Sequence, residues 1–309
     1  GRRRIFARLS SSPIRQHLHA PPRLPERVVV VGSGSFVGEA AIRRLERDGV
    51  PILPLARKDV DLEAEGAADR LAAAFRPTDA ALLVAAIAPC KDSGMLVANM
   101  KIGRAMSEAL RRSPVAHVVN VGSDAVYRDS DDPLTESSCA EPGSLHGVMH
   151  LARELVLSTE HSIPFASVRP TLIYGARDPH NGYGPNRFRR LAAEGKEIVL
   201  FGEGEERRDH VLVDDVAELL ARVVLHRSTG VLNAATGTVV SFRRVAELVV
   251  GRFDRPVPIR GSPRKGPMPH GGYRPFDPRG TRAAFPDFSY CPIEAGIARV
   301  HREALAASR

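Results

Sequence analysis

The chain has 309 residues, 43% hydrophobic and 26% charged, with 5% aromatic residues, no Trp and a formal charge of +8. That much apolar sequence can bury one large core or two moderate ones, which excludes a disordered chain, a collagen and a disulfide scaffold. The 3 cysteines, Cys90, Cys139 and Cys291, suggest a reducing, cytoplasmic compartment, and the longest apolar stretch, 80–89, is about half the ~20 residues that a membrane crossing needs, so no membrane span is expected.

Most of the charge belongs to one end. Residues 1–25 contain six Arg (Arg2, Arg3, Arg4, Arg8, Arg15, Arg23) and no acid, leaving 38 basic and 36 acidic residues elsewhere. With Ser10, Ser11, Ser12 and the cluster Pro21, Pro22, Pro25, this segment is expected to be a disordered basic arm, although an acid-free, Arg- and Ser-rich segment also reads like an organelle transit peptide. The remainder is nearly neutral, so no nucleic-acid partner is expected.

From residue 26 the pattern becomes regular. A β-branched run at 27–31 meets the turn Gly32, Ser33, Gly34, Ser35, Phe36, Val37, Gly38 and an amphipathic stretch at 39–47. Strand, glycine turn and helix is the order a dinucleotide site needs: glycine lets backbone approach a pyrophosphate, and a helix N-terminus offers free N–H groups. Then follow a strand at 51–55, a helix at 64–75, a strand at 80–86 and a helix at 95–112. A strand at 116–121, a helix at 146–158 and a strand at 165–169 complete the series. Such alternation predicts an α/β fold, a Rossmann-like doubly wound parallel sheet over residues 26–175. Beyond Pro170 come helices at 186–195, 214–226, 241–252 and 293–307. A Pro-, Gly- and Arg-rich excursion at 253–290 is expected on the surface. Residues 176–309 are therefore expected to form a smaller mixed substrate-binding lobe, some of whose segments can return to the sheet.

From about Arg27 to its end the chain resembles the extended short-chain dehydrogenases of the NAD(P)-dependent epimerase/dehydratase family, which act mostly on nucleotide-activated sugars. The resemblance rests on an ordered set: the turn Gly32 to Gly38, Ala85 and Ala86 ending a strand, Asn99 on the next helix, Gly-Ser-Asp-Ala-Val-Tyr at 122–127, Val-Arg-Pro-Thr-Leu-Ile-Tyr-Gly at 168–175 and the segment 201–215. It departs in two places. Ser35 stands at the middle glycine of the turn, where its hydroxyl could donate to a phosphate. The family's catalytic Tyr-x-x-x-Lys aligns with His146 and His150, followed by Glu154.

By resemblance, Ser123 hydrogen-bonds the reacting oxygen, His146 stands in the place of the base and His150 in that of the residue holding the nicotinamide ribose. An imidazole, with an ordinary pKa of ~6.5, titrates nearer neutrality than a phenol at ~10 and can serve as base, but it carries no permanent charge. Three readings follow: a changed acid/base apparatus, a catalytically degenerate nucleotide or sugar-nucleotide binder, or a metal site made of His146, His150 and Glu154 on one helix face. No sequence pattern supports the metal.

For the coenzyme, Arg57 and Lys58 after the second strand favour the 2′-phosphate of NADP; Asp59 is the nearest carboxylate for NAD, the alternative. Asp61 and Leu62 match the family's pair near the adenine, and Pro170 and Thr171 lie beside the nicotinamide by resemblance. On the substrate side, Arg208 aligns with an arginine that approaches the nucleotide, with Arg207 as a competing neighbour, while Asn186 and Arg190 fall where a sugar nucleotide is lined. Tyr127 is expected to position rather than react, and His210 is a spare ionisable group. A homodimer through the helices at 95–112 and 146–158 is expected by analogy.

Overall fold

A computed structural model of the chain describes residues 13, 14 and 16–307. The first strand pair of the nucleotide-binding half is dictated by apolar runs. β2 (Val28–Val31) is four buried valines, flanked in the sheet by β3 (Ile52–Leu55) and β4 (Ala80–Leu83). Because side chains alternate across a strand, Val28, Val30, Ala80 and Leu82 enter one core, while Val29, Val31, Ala81 and Leu83 enter another. The first core is covered by α1 (Phe36–Arg47) and the second by α2 (Ala67–Ala74) and α3 (Ser93–Arg112). A strand buried on both faces needs this double winding.

The sheet continues through β5 (His117–Val121) and β6 (Phe165–Pro170), with α4 (Leu145–Thr159) crossing between them. After β6 the chain leaves the sheet. β7 (Leu172–Tyr174), α5 (Pro185–Ala193), β8 (Ile198–Phe201) and β9 (Arg207–Leu212) begin the second lobe. α6 (Val213–Leu225) then packs on the first core, and β10 (Ser228–Ala234) pairs in parallel with β6. The lobe is completed by β11 (Val239–Ser241), α7 (Phe242–Val250), β12 (Ile259–Ser262), β13 (Tyr273–Arg274), α8 (Arg279–Ala284) and α9 (Ile293–Ala307). β9 pairs with β7, β11 and β13, and β8 pairs with β12. The lobe has its own core, which includes Phe188, Leu200, Leu212, Phe242 and Ile297.

Two expectations need correction. The segment expected to be a disordered arm is ordered at residues 13, 14 and 16–25. β1 (Gln16–His17) runs antiparallel to β10, Ile14 is buried, and His17 bonds the Ser228 hydroxyl at 2.7 Å and the Ala284 carbonyl at 2.9 Å. The physical reason is the return of β10: it becomes a sheet edge, and β1 covers its unpaired backbone groups. Residues 1–12 and Arg15 lie outside the described residues. The excursion at 253–290 is not merely superficial either, because Arg274, Phe276, Thr281 and Phe285 are buried and tie it to the sheet. Among the described residues no helix is long and apolar enough to cross a membrane.

Candidate active site

The coenzyme side begins where β2 ends. Gly32 has φ +94°, and a Cβ there would stand 2.5 Å from the Ala85 nitrogen; a Cβ on Gly38 would stand 2.4 Å from the Gly32 carbonyl oxygen. The turn and the strand end at Ala85 therefore touch through backbone. Ser35 caps α1: its hydroxyl donates to the Gly32 carbonyl at 2.7 Å and accepts the Gly38 N–H at 3.1 Å. In this structure the proton of the Ser35 hydroxyl is engaged inside the turn. What remains for an anion is the helix N-terminus at Phe36 and Val37.

Beside the turn lies a cavity of about 440 Å³ lined by Gly32, Gly34, Ser35, Arg57, Lys58, Asp61, Leu62, Ala85 and Ala86. Arg57 is paired with Glu63 at 3.0 Å and lies 3.5 Å from Asp61, while the Asp59 carboxylate accepts the Ala56 N–H at 2.9 Å. Asn99 does not reach this cavity. Its carbonyl accepts the Ile87 N–H at 2.9 Å and its amide donates to the Ile87 and Met95 carbonyls, so it fixes the loop after β4 instead.

A second cavity, of about 990 Å³, shares Ser35 and Ala86 with the first and is lined by Phe36, Val37, Ser123, Tyr127, His146, His150, Pro170, Thr171, Asn186, Arg208 and His210. It crosses the carboxyl ends of the sheet, where ligands of doubly wound folds bind. Ser123 leads a short 3-10 turn (Asp124–Val126), accepting the Ala125 N–H at 3.1 Å. α4 presses onto that turn so closely that a Cβ on Gly147 would stand 2.1 Å from the Ala125 carbonyl oxygen. Glycine after His146 thus lets the helix bring its first turn to Ser123.

The two histidine rings meet edge to face with centroids 4.6 Å apart. Nδ1 of His146 accepts the Cys90 N–H at 3.4 Å, which leaves the proton of the neutral ring on Nε2. Burial lowers the pKa of His146, with the Asp124 carboxylate opposing and Arg153 reinforcing the shift. His150 is held well below the usual histidine value by burial, by Arg153 and by His146, and its Nδ1 is buried without a hydrogen-bond partner. In both rings burial favours the neutral form.

Arg153, one turn beyond His150, is a cation that sequence reading did not single out. It is 2% exposed, donates to the carbonyls of Ala85 at 2.9 Å and of Val121 at the ends of β4 and β5, and burial pushes its pKa down to about 10. Glu154 points elsewhere. It pairs with buried Arg169 and accepts the Ser167 hydroxyl at 2.8 Å. The reading of His146, His150 and Glu154 as metal ligands is therefore corrected, and among the described residues no group of three or more His, Cys, Asp or Glu could hold a metal ion. Tyr127 accepts from Arg169 at 2.8 Å and donates to Asn233 at 2.7 Å, and burial pushes its phenol up to about 12. It is a structural post in the cavity wall.

The substrate-side residues divide. Arg208 and His210 line the cavity from β9; burial and Arg208 hold His210 at about 4. Asn186 also lines it, but its carbonyl accepts the Gly175 N–H at 3.2 Å and its amide donates to Asp178. The Thr171 hydroxyl donates to Asp209 at 2.7 Å. Arg190 is not in the wall: it braces the loop at 178–181 through the carbonyls of His180 and Asp178. Missed by sequence reading, besides Arg153, are Asp124, Asp129, Arg274 and His270. Asp124, Asp129 and His270 line the cavity, and Arg274 lies 1% exposed behind Asp124.

Comparison with known proteins agrees with this fold. The family model described as NAD dependent epimerase/dehydratase family matches residues 28–235. Among curated proteins, a putative GDP-L-fucose synthase 2 of Oryza sativa subsp. japonica is 27% identical over 251 residues, covering 73% of this chain and 72% of that protein. A UDP-glucose 4-epimerase of Mycolicibacterium smegmatis is 25% identical, covering 74% and 83%. Among solved structures, a GDP-L-fucose synthetase from Naegleria fowleri bound to NADP shares the fold with TM-score 0.80 at 17% identity, over 95% of this chain and 98% of that one. A UDP-glucose 4-epimerase of Thermus thermophilus in complex with NAD shares it with TM-score 0.78 at 23% identity, over 92% and 100%. With β2 through β10 inside the matched span, and the glycine turn and the histidine pair facing one groove, the chain belongs to the NAD dependent epimerase/dehydratase family.

Proposed function

We propose that the chain catalyses hydride transfer at a hydroxyl-bearing carbon of a nucleotide-activated sugar, as an epimerase, dehydratase or reductase, with NADP as coenzyme and NAD as the alternative. The observation that carries this reading is the convergence of Ser123, His146 and His150 on one cavity that joins the coenzyme groove through Ser35 and Ala86. Relatives described as GDP-L-fucose synthase and UDP-glucose 4-epimerase support the substrate class. NADP rests on Arg57 and Lys58 in the wall of the smaller cavity. The free cysteines are consistent with a cytoplasmic setting, and exposed Val97 on α3 with Val148 and Leu155 on α4 support a homodimer through those helices.

The bound nicotinamide would supply or accept the hydride; the residues of this chain handle the oxygen and its proton. Ser123 and neutral His146 flank the reacting oxygen. With Nδ1 held by Cys90, His146 presents its proton on Nε2, which suits hydrogen bonding to a carbonyl oxygen in the reducing direction; the proton that completes the hydroxyl then comes from solvent, since a neutral imidazole that released its Nε2 proton would be left as imidazolate. Taking a proton from a hydroxyl in the oxidising direction requires the opposite tautomer and gives up that bond, at about 1 kcal/mol. His150, whose buried Nδ1 has no partner in the protein, suits a ribose hydroxyl.

The test is nicotinamide absorbance on adding NADPH, NADP, NADH or NAD with a panel of nucleotide sugars and their keto derivatives. Turnover is expected, with a pH limb near or below the ordinary histidine range that disappears in His146→Ala. No turnover with any pair, together with activity gained in the double variant His146→Tyr, His150→Lys, overturns it. A second reading, a non-catalytic sugar-nucleotide binder, is favoured by one observation: Arg208 is already engaged by Glu206 and Asp124.

A further inference from the structure

Arg153 lies on α4 after His146 and His150, at helical spacings that put the three side chains on one face. It is 2% exposed, and among the described residues its guanidinium makes no ion pair. Nη1 donates to the Ala85 carbonyl at 2.9 Å, Nη2 donates to the Val121 carbonyl, and Nε is buried without a hydrogen-bond partner. Its sequence neighbour Glu154 acts on it through space but is paired with Arg169. Since burial lowers its pKa only to about 10, Arg153 keeps a whole positive charge inside the protein at neutral pH.

The two carbonyls belong to the ends of neighbouring parallel strands. Ala85 is the residue whose nitrogen meets Gly32 in the coenzyme turn, and Val121 leads through Gly122 to Ser123. On the far side α3 leaves room for the arginine stem, because a Cβ on Gly103 would already stand 3.7 Å from its Cγ. One planar fork therefore ties the helix that bears both histidines to the strand end behind the coenzyme turn and to the strand that delivers Ser123. A lysine has a single nitrogen to share between the two carbonyls.

Other elements bring few charges to the rings. The 3-10 turn brings the Asp124 carboxylate toward His146, but that carboxylate is paired with Arg274 at 3.2 Å and lies 3.9 Å from Arg208. The loop after β4 brings the Cys90 N–H to His146, and Arg153 acts on both rings. We propose that Arg153 is a positioning residue: it fixes the histidine-bearing helix to the ends of β4 and β5 and supplies, from behind the rings, the permanent positive charge that the His150 position lacks. The proposal rests on the reading of His146 and His150 as the pair beside the reacting oxygen. A cation behind the rings disfavours imidazolium and favours negative charge on an oxygen in front of them, where little water screens it. That suits the reducing direction. The carbonyl carbon receives a hydride from the dihydronicotinamide, which is oxidised, the C=O π pair moves to the oxygen, and solvent supplies the proton.

The experiment is a proton NMR titration of the His146 ring in the full chain, its signal identified by its loss in His146→Asn. It is repeated in the neutral variants Arg153→Gln and Arg153→Met and in the charged variant Arg153→Lys. The His146 midpoint is expected to rise by about one pH unit in the neutral variants, and the lysine variant to return most of the way to the unmodified value. With NADPH and a keto sugar nucleotide, the neutral variants should lose about tenfold in kcat with little change in KM, and lysine should restore part of it. An unmoved midpoint in both neutral variants overturns the role of Arg153 and leaves the hydride-transfer reading standing. An equal rise in the lysine variant overturns it as well, because packing and not charge would then set the titration. Absence of turnover by the unmodified chain with every coenzyme and sugar pair overturns the hydride-transfer reading, and this proposal with it. With two neutral variants, a folding defect in one leaves the comparison available in the other.

Discussion

The two halves of the groove are built from different materials. On the coenzyme side the wall is backbone and small side chains: Gly32 and Gly38 have no room for a Cβ, and Ala85 and Ala86 close the strand end. On the catalytic side the wall is backed by buried charge, with Arg153, Glu154, Arg169, Asp209 and Arg274 each no more than 2% exposed. The first half is governed by excluded volume and the second by compensation of charge. A substitution that adds atoms should therefore damage the first half most, and one that removes a charge should damage the second.

The largest effect is expected from Glu154→Ala. It takes the Glu154 carboxylate away from Arg169, 0% exposed, while the Tyr127 hydroxyl still accepts from that guanidinium, and breaking such a buried pair from one side costs about 3–5 kcal/mol. Denaturant unfolding followed by circular dichroism measures it; a loss below about 1 kcal/mol would mean that the catalytic side behaves like a surface. Next comes Gly38→Val, whose Cβ would stand 2.4 Å from the Gly32 carbonyl and whose further methyls press on the Ser35 cap. Overpacking of this kind costs about 1–3 kcal/mol, and NADP binding, read by titration, should weaken at least about tenfold because the turn must open. Unchanged NADP binding would remove the steric half of the contrast.

The contrast also explains what the sequence discloses. The coenzyme side is contiguous: four valines, a glycine turn and a helix cap lie within twelve positions, 28–39, so local rules suffice to place them. Ser123, His146 and His150 are legible because each lies in a short motif. Asn99 and Arg190 are in the right segments, but their side chains turn to the backbone of their own loops, which no motif records. The charged network is illegible for another reason. Arg274 is 150 positions from Asp124, and an arginine in an Arg-rich stretch reads as a surface residue. Arg153 offered a signal, since it shares a helix face with His146 and His150 at spacings of seven and three. β1 offered none: Arg, Ser and Pro composition argues for disorder, and only the distant return of β10 creates the edge that orders it.

The narrowest effect, absent at neutral pH and confined to acidic pH, tests whether the catalytic side is as dry as its burial implies. Burial and Arg208 hold His210 at about 4 in the folded chain, against an ordinary 6.5. Between these values the unfolded chain binds a proton that the folded chain refuses, so this residue makes stability fall as pH drops from about 6.5 to about 4. His117, also held at about 4 by burial, acts in the same direction. Asp215, whose carboxyl burial pushes up to about 6, acts in the opposite one, because its folded form takes up a proton first. The slope of the unmodified chain is thus a difference of these contributions, and the informative quantity is the change caused by His210→Asn. Asparagine keeps a donor near the Arg208 carbonyl, which Nδ1 of His210 now meets at 3.1 Å, and does not titrate. The loss of stability between pH 6.5 and 4 should shrink by up to about 3 kcal/mol, measured by urea unfolding across that range. Parallel pH curves for the two proteins would mean that His210 is hydrated and freely protonated in the fold. The carboxylates and guanidiniums around it would then be screened by water, and the catalytic side would lose the electrostatic character that sets it apart from the coenzyme side.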